Sequence, residues 1–426
     1  MNDMTKLETF LLGSAGGSGR RAILLGTAAL AVFAITGCDS LLDVETPGVI
    51  QVSAWDDPSS ADLLVNAALG DFECALPGYI RSTGTIAHEL YVSGITGVWQ
   101  NWGARRDILR NDTGACAPGS VGIYNPLQDA RFLADEGYER VSSFPAAAVA
   151  DREGKLAALA AYGGYSYTLM GEGMCESAID GGPLVSRQDL WREAETRFTL
   201  ALGHAQAAGN SSLLQMARVG RARVRLNLGE TAGALADAQA VTEGFVRFAT
   251  YSAQDNRRRN FLWVDTHEND NWSVHPNYRN LVVDGVPDPR VPVQDMARLG
   301  VDSETPQWRQ QKYATLGSNI PIARWEEAQL IMAEIQGGQA AVTAINNLRT
   351  RAGLPLFSST DEAEIRAQVI EERRRELFLE GHRLNDMIRF NIPFPTGVTH
   401  KGQAYGNATC IPLPDAERTS NPNIPS

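Results

Sequence analysis

The stretch ARVRLNLGETAGALADAQAV, residues 222–241, decides the fold class. Ala222 precedes Gly229, and Ala234, Ala238 and Val241 follow at spacings of four and three. Residues three and four apart share one face of an α-helix, and small side chains there let a second helix come close. The glycine between the two runs supplies a helix stop and a turn. Together these features spell a helical hairpin of the tetratricopeptide type. Working outward, Gly164, Tyr167 and Gly171 fit the first helix of an earlier unit, and Ala194, Phe198 and Ala201 fit its second. A longer insertion carrying Cys175 separates the two. Ala328 and Ile331, then Ala340, Ala344 and Ile345, mark a third unit. The expectation is an all-α fold of tetratricopeptide-like hairpin repeats at about 150–245 and 322–390, within a single domain over 59–426. Ser59–Glu73, Leu127–Glu139 and Ser359–Leu379 add amphipathic helices.

Phe248–Pro321 breaks the helical period. Five prolines between Pro276 and Pro306 interrupt it, and Trp263, Trp272, Tyr278, Trp308 and Tyr313 are spread through it. A long irregular insertion in a compact protein is usually functional, so about 248–321 is expected to form the ligand side.

The composition is that of an ordinary globular chain, 43% hydrophobic and 21% charged, with a formal charge of −12. An acidic balance argues against coating nucleic acid, which needs clustered positive charge. Lys6, Lys155, Lys312 and Lys401 are the lysines; the other basic residues are arginines, which suit fixed ion pairs. At the N-terminus Arg20 and Arg21 precede the uncharged apolar run Ala22–Thr36, the right length for a signal-peptide core and too short for a membrane span. It ends in Ile35-Thr36-Gly37-Cys38, a lipobox pattern. Residues 1–37 therefore read as a lipoprotein signal peptide, Cys38 as the lipidated residue, and 38–58 as a tether. Export permits disulfides, and Cys74, Cys116, Cys175 and Cys410 remain to form them. Of three pairings, Cys74–Cys116 would close an N-terminal loop and Cys175–Cys410 would tie the last segment to the middle. These two are the expectation.

The C-terminal third carries an ordered set of tracts: Arg324-Trp325-Glu326-Glu327-Ala328, Ile345-Asn346-Asn347-Leu348-Arg349, Arg351-Ala352-Gly353-Leu354-Pro355, Glu372-Arg373-Arg374-Arg375-Glu376, Glu380-Gly381-His382-Arg383 and Asp386-Met387-Ile388-Arg389. With Ile411-Pro412-Leu413-Pro414, the segment Asp284–Arg290 and the lipobox, they resemble the SusD/RagB family of outer-membrane lipoproteins. Asn385 departs from that pattern, standing where an aromatic often precedes the aspartate. The resemblance implies a lipid-anchored lid, exposed at the cell surface, on a SusC-like TonB-dependent transporter barrel. It also implies capture of nutrient glycans or oligosaccharides without catalysis. Capture of peptides is the alternative within the family. A periplasmic tetratricopeptide assembly scaffold and a helical glycoside hydrolase are rivals outside it; the hydrolase would need two carboxylates at a set separation.

Sugars offer flat C–H faces and hydroxyl edges, so a capturing surface needs aromatic platforms flanked by hydrogen-bonding groups. Arg81, Tyr91, Trp99, Asn101 and Trp102 have that composition, and Trp272, Tyr278 and Trp308 offer a second set. Trp191 and Trp325, at helix starts, read as packing. Glu380, Arg383, Asp386 and Arg389 recur every three residues and read as ion pairs that fix the last helix, since arginine is no proton shuttle. Asp265, His267, Glu268, Asp270 and His275 read as a polar loop, matching no EF-hand spacing. His88-Glu89 lacks the second histidine of a zinc-protease motif. No cofactor or metal is expected.

Overall fold

The computed structural model describes residues 55–425; the expected signal segment, Cys38 and most of the tether lie outside the described residues. The first helix, α1 (Ala61–Ile86), outruns the amphipathic stretch and passes through Pro77. Proline at that position denies a partner to the Glu73 carbonyl one turn earlier. The Tyr251 hydroxyl donates to that oxygen at 2.7 Å, so a side chain from the insertion stands in for the missing helix bond. Strand β1 (Leu90–Val92) and the short helix α2 (Gly97–Gly103) follow, then α3 (Tyr124–Ser143).

The repeat units appear where the small residues point. Helix α4 (Arg152–Gly173) is capped by Asp151, which accepts from the Gly154 amide at 3.3 Å. It is buried nearly all round, in contact with α1, α3 and α5 (Arg187–Ala207). The insertion between α4 and α5 is a hairpin, β2 (Glu176–Ala178) with β3 (Leu184–Ser186). A capping box of Ser186 and Asp189 starts α5. Helices α6 (Ser211–Leu228) and α7 (Thr231–Gln239) form the second hairpin, and Gly229 between them adopts φ 79°, a left-handed turn few other residues accept. At the crossing of α4, α5 and α6 the Phe198 ring lies between Gly164 and Gly220. A Cβ on Gly164 would sit 2.8 Å from that ring, and one on Gly220 would overlap it.

The chain then turns irregular, as its prolines predict. Strand β4 (Val246–Ala249) and the single turn α8 (Phe261–Trp263) lead to β5 (Trp272–Val274) and two hairpins, β6 (Val282–Val283) with β7 (Val286–Pro287) and β8 (Val293–Leu299) with β9 (Pro306–Gln310). Strand β10 (Ile320–Arg324) pairs antiparallel with β4, and β5 pairs with β1. Helices α9 (Trp325–Gln336) and α10 (Gly338–Arg351) form the third hairpin; α11 (Glu362–Glu376), α12 (Arg383–Arg389) and α13 (Asp415–Ser420) complete the chain. Ala340 is exposed, against expectation. Ala341, Ala344, Ile345 and Leu348 make the buried face, because α10 starts at Gly338 and its phase follows from that start.

The fold is all-α with small two-stranded sheets. Cys74 pairs with Cys116 and Cys175 with Cys410, at Cα separations of 5.7 and 5.1 Å. Of the four residues expected to pair, Glu380, Asp386 and Arg389 form buried ion pairs, whereas Arg383 forms none among the described residues. Arg373 donates to both Asp386 oxygens at 2.9 and 3.0 Å, Arg389 bridges Asp386 and Glu334, and Arg324 joins Glu376 to Glu380. Trp191 and Trp325 are buried. Among the described residues, no helix is long and apolar enough to cross a membrane.

Candidate functional site

Four chain segments, counting Gln100 and Gly103 of α2, meet at one cavity of about 100 Å³. The end of α1 gives His88, and β1 gives Tyr91. The residue after β5 gives His275. The loop between α12 and α13 gives His400, Lys401, Gln403 and Tyr405. Three of the chain's six histidines therefore line a single pocket.

Each wall has a local cause. His88 adopts φ 58°, a strained left-handed conformation that turns the chain from α1 into β1. The pairing of β1 with β5 sets Tyr91 opposite Ser273, and the His275 amide donates to the Glu89 carbonyl at 2.9 Å. The C-terminal loop is held by Arg105, also at positive φ. Its guanidinium lies over Phe394 and Tyr405 and donates to the carbonyls of Pro395 and Ala408. The amide of Gly406 donates to Ala104 at 2.8 Å, so close to the Arg105 backbone that a side chain on Gly406 would clash with it. His400 Nε2 is 3.1 Å from the Val92 carbonyl and 3.0 Å from Thr305 Oγ1. Gln403 donates to Gln100 at 2.9 Å, joining the loop to α2.

The rings form a chain. Tyr91 and His400 are 4.3 Å apart at their centroids, Tyr91 and His275 5.6 Å, His275 and His88 4.9 Å, and His88 and Tyr405 5.6 Å. Burial, then the charge of Arg105, lowers His88 to about 4; burial, then His88 and Arg279, lowers His275 to about 3. Burial lowers His400 as well. At neutral pH the imidazoles are uncharged, each able to donate at one nitrogen and accept at the other. Exposed aliphatic side chains stand on the flanking segments: Ile95, Val98, Leu299 and Val398.

The expected ligand residues divide. Tyr91 lines the cavity; Arg279 donates to its hydroxyl at 2.5 Å and covers both its ring and that of Trp308. Trp99, Asn101 and Trp308 are partly exposed. Trp102 and Trp272 are 1% and 0% exposed, and these rings belong to the core below the pocket. Trp272 donates to Thr85 Oγ1 at 3.0 Å and packs 4.9 Å from Trp99, so the two expected aromatic sets are one. Arg81 is fully buried, ion-paired to Asp265 and set over Trp272. Tyr278 is buried 4.9 Å from Phe378. As placed, Arg81, Trp102, Trp272 and Tyr278 offer no open platform. The three aromatic rings, with the Arg81–Asp265 pair, fill the seam between insertion and helices.

His88, His275, His400, Gln403 and Tyr405 were not among the expected ligand residues. The available signal was the rarity of histidine, with half of those present falling in irregular segments. The polar loop is tied up internally: Asp265 by Arg81, Asp270 by Arg298 and Arg309, and His267 by stacking on Trp263. Among the described residues, no group of three His, Cys, Asp or Glu side chains is placed to hold a metal ion.

Residues 249–424 match the model of the SusD family. No curated protein matches the chain. Solved structures do. A SusD-like carbohydrate binding protein from Bacteroides vulgatus is 15% identical, with a TM-score of 0.63, over 86% of this chain and 97% of its own. A laminarin binding SusD-like protein is 14% identical, TM-score 0.57, over 87% and 98%. Surface glycan-binding protein A from Bacteroides uniformis is 14% identical, TM-score 0.63, over 86% and 98%. At these identities the structures establish a shared fold, hairpin repeats and insertions together. Over residues 249–424, which include the ion-paired motif, the chain is similar to the SusD family.

Proposed function

We propose that this chain is a non-catalytic capture protein for nutrient glycans, which it passes to a TonB-dependent outer-membrane transporter. The observation that carries the reading is the pocket of Tyr91, Tyr405 and three uncharged imidazoles. Flat rings meet the C–H faces of a sugar, while imidazole and amide groups pair with its hydroxyls. Glycan binding by similarly folded proteins, one of them a laminarin binder, supports the same assignment. Lipid attachment at Cys38 would hold the chain at the outer membrane, with the transporter as its partner.

The pocket holds no carboxylate pair, and its polar groups suit binding rather than bond cleavage. Trp99, Asn101 and Trp308 extend the contact surface beyond it. The test is retention on an immobilised glycan panel. Tyr91→Ala combined with Tyr405→Ala should abolish retention in a variant that still unfolds cooperatively, at a melting temperature lowered by the lost packing under Arg279 and Arg105. Unchanged retention removes the pocket from the assignment, and release of reducing ends from a retained polysaccharide would favour the hydrolase.

A further inference from the structure

The cavity walls bear on the charge of the ligand. Among the described residues lining it, none is a carboxylate, and its one permanent cation is Lys401. That ammonium is committed: it donates to the Gly94 carbonyl at 2.7 Å and lies 2.6 Å from Asp302, with the side chain 8% exposed. Arg105 stands behind the Tyr405 ring, its donors spent on Pro395 and Ala408. Arg279 stands behind Tyr91, bonded to its hydroxyl and to the Val274 carbonyl.

The three histidines could supply positive charge only by protonation, and burial opposes it. His88 faces His275, Tyr405 and Arg105; His275 faces Tyr91 and Arg279; His400 faces Tyr91, with Lys401, Asp302 and Glu304 nearby. Arg105 and Arg279 add to burial at His88 and His275; at His400 burial outweighs the Val92 carbonyl, Asp302 and Glu304, which favour the proton. An anion brought into such a pocket loses water and gains no counter-charge, which is costly. An uncharged ring loses only hydroxyl hydration, and imidazole and amide groups replace it. The volume, about 100 Å³, is small beside the roughly 300–1,000 Å³ of pockets that enclose whole ligands, so it admits one ring at most.

Taking the proposed glycan capture as its basis, we infer that this pocket selects a single uncharged sugar ring and rejects the corresponding uronic acid. Gln403, partly exposed on the wall, is then a position at which a free cation would change the selection.

The experiment compares neutral hexose oligosaccharides from laminarin and mannan with the same oligosaccharides oxidised at C6 to uronates, by calorimetry at pH 7. Affinities are taken as the part lost in Tyr91→Ala. The expected result is binding of at least one neutral form, with its oxidised counterpart weaker by about tenfold or more. Gln403→Arg should narrow that ratio. Equal or tighter Tyr91-dependent binding of the oxidised form overturns the selection while leaving glycan capture standing. Absence of Tyr91-dependent binding for every form, neutral and oxidised, overturns both.

Discussion

Replacing Asp386 by asparagine removes one charge from the centre of the C-terminal network. Asp386 is 3% exposed and accepts two bonds from Arg373 and one from Arg389, all at 2.9–3.0 Å. Burial pushes its carboxyl up, but the two guanidinium groups outweigh that and hold it below its ordinary value of 3.8. Without the charge, Arg389 still has Glu334, whereas Arg373 keeps only Glu334 at 3.9 Å. Breaking a buried pair on one side costs about 3–5 kcal/mol, and the lower end applies because asparagine retains an acceptor. With roughly 370 ordered residues and about 2.1 cal/mol/K for each, a loss of about 3 kcal/mol lowers Tm by about 4 °C. Urea unfolding at pH 7 should show the same loss as a shifted midpoint with an unchanged slope. A depressed carboxyl stabilises the fold above its unfolded value and loses that contribution as pH falls through the folded one. The gap between parent and variant should therefore be full at pH 6–8 and shrink in acid below about 4. A loss under about 1 kcal/mol, or a gap that does not shrink in acid, would refute the reasoning. Weakened glycan retention in a fully stable variant would instead move Asp386 from scaffold to site.

Glu89 is 1% exposed, Oε2 has no partner, and burial pushes the carboxyl up to about 7. A carboxyl raised in the fold costs stability as pH climbs from its unfolded value towards the folded one, so Glu89→Gln should stabilise more at pH 8 than at pH 5; equal effects at both would contradict this. The Cys175–Cys410 bridge spans 235 residues and Cys74–Cys116 spans 42. On the chain-entropy model these are worth about 5 and 4 kcal/mol, so serine pairs at 175 and 410 should lower the urea midpoint more than serine pairs at 74 and 116. Gly220→Ala puts a methyl into the Phe198 ring, and overpacking of about 1–3 kcal/mol should exceed the roughly 1 kcal/mol gained in helix propensity; Phe198→Leu should restore most of the loss.

The helical hairpins were readable in the sequence because close helix crossings demand small residues at fixed spacing. Ala194, Ala222, Ala234 and Ala328 are all fully buried at such crossings. The miss in phase at α10, Ala340 for Ala341, came from a helix start that sequence periodicity locates only to within a residue or two. The charged motif was readable as scaffold because arginine favours fixed carboxylate pairs. Within Glu380–Arg389, however, only Asp386–Arg389 pairs at local spacing; Arg373–Asp386, Arg324–Glu376 and Arg389–Glu334 join segments the sequence keeps apart. The pocket was not readable. Its histidines stand near positions 88, 275 and 400, and only the pairing of β1 with β5 and the grip of Arg105 bring them together. Nor does composition separate a tryptophan that greets a ligand from one that fills a seam. Trp99 and Trp102 are three residues apart, yet one is partly exposed and the other is in the core.

The assembly of the pocket from both ends of the domain has a consequence for how the protein comes into being. A growing chain makes His88 and Tyr91 early, but the wall carrying His400 and Tyr405 arrives almost last, and Cys410 is joined to Cys175 only after that. No form shortened before Tyr405 can own the complete pocket. On the proposed function, retention on a glycan would read out completion of the chain.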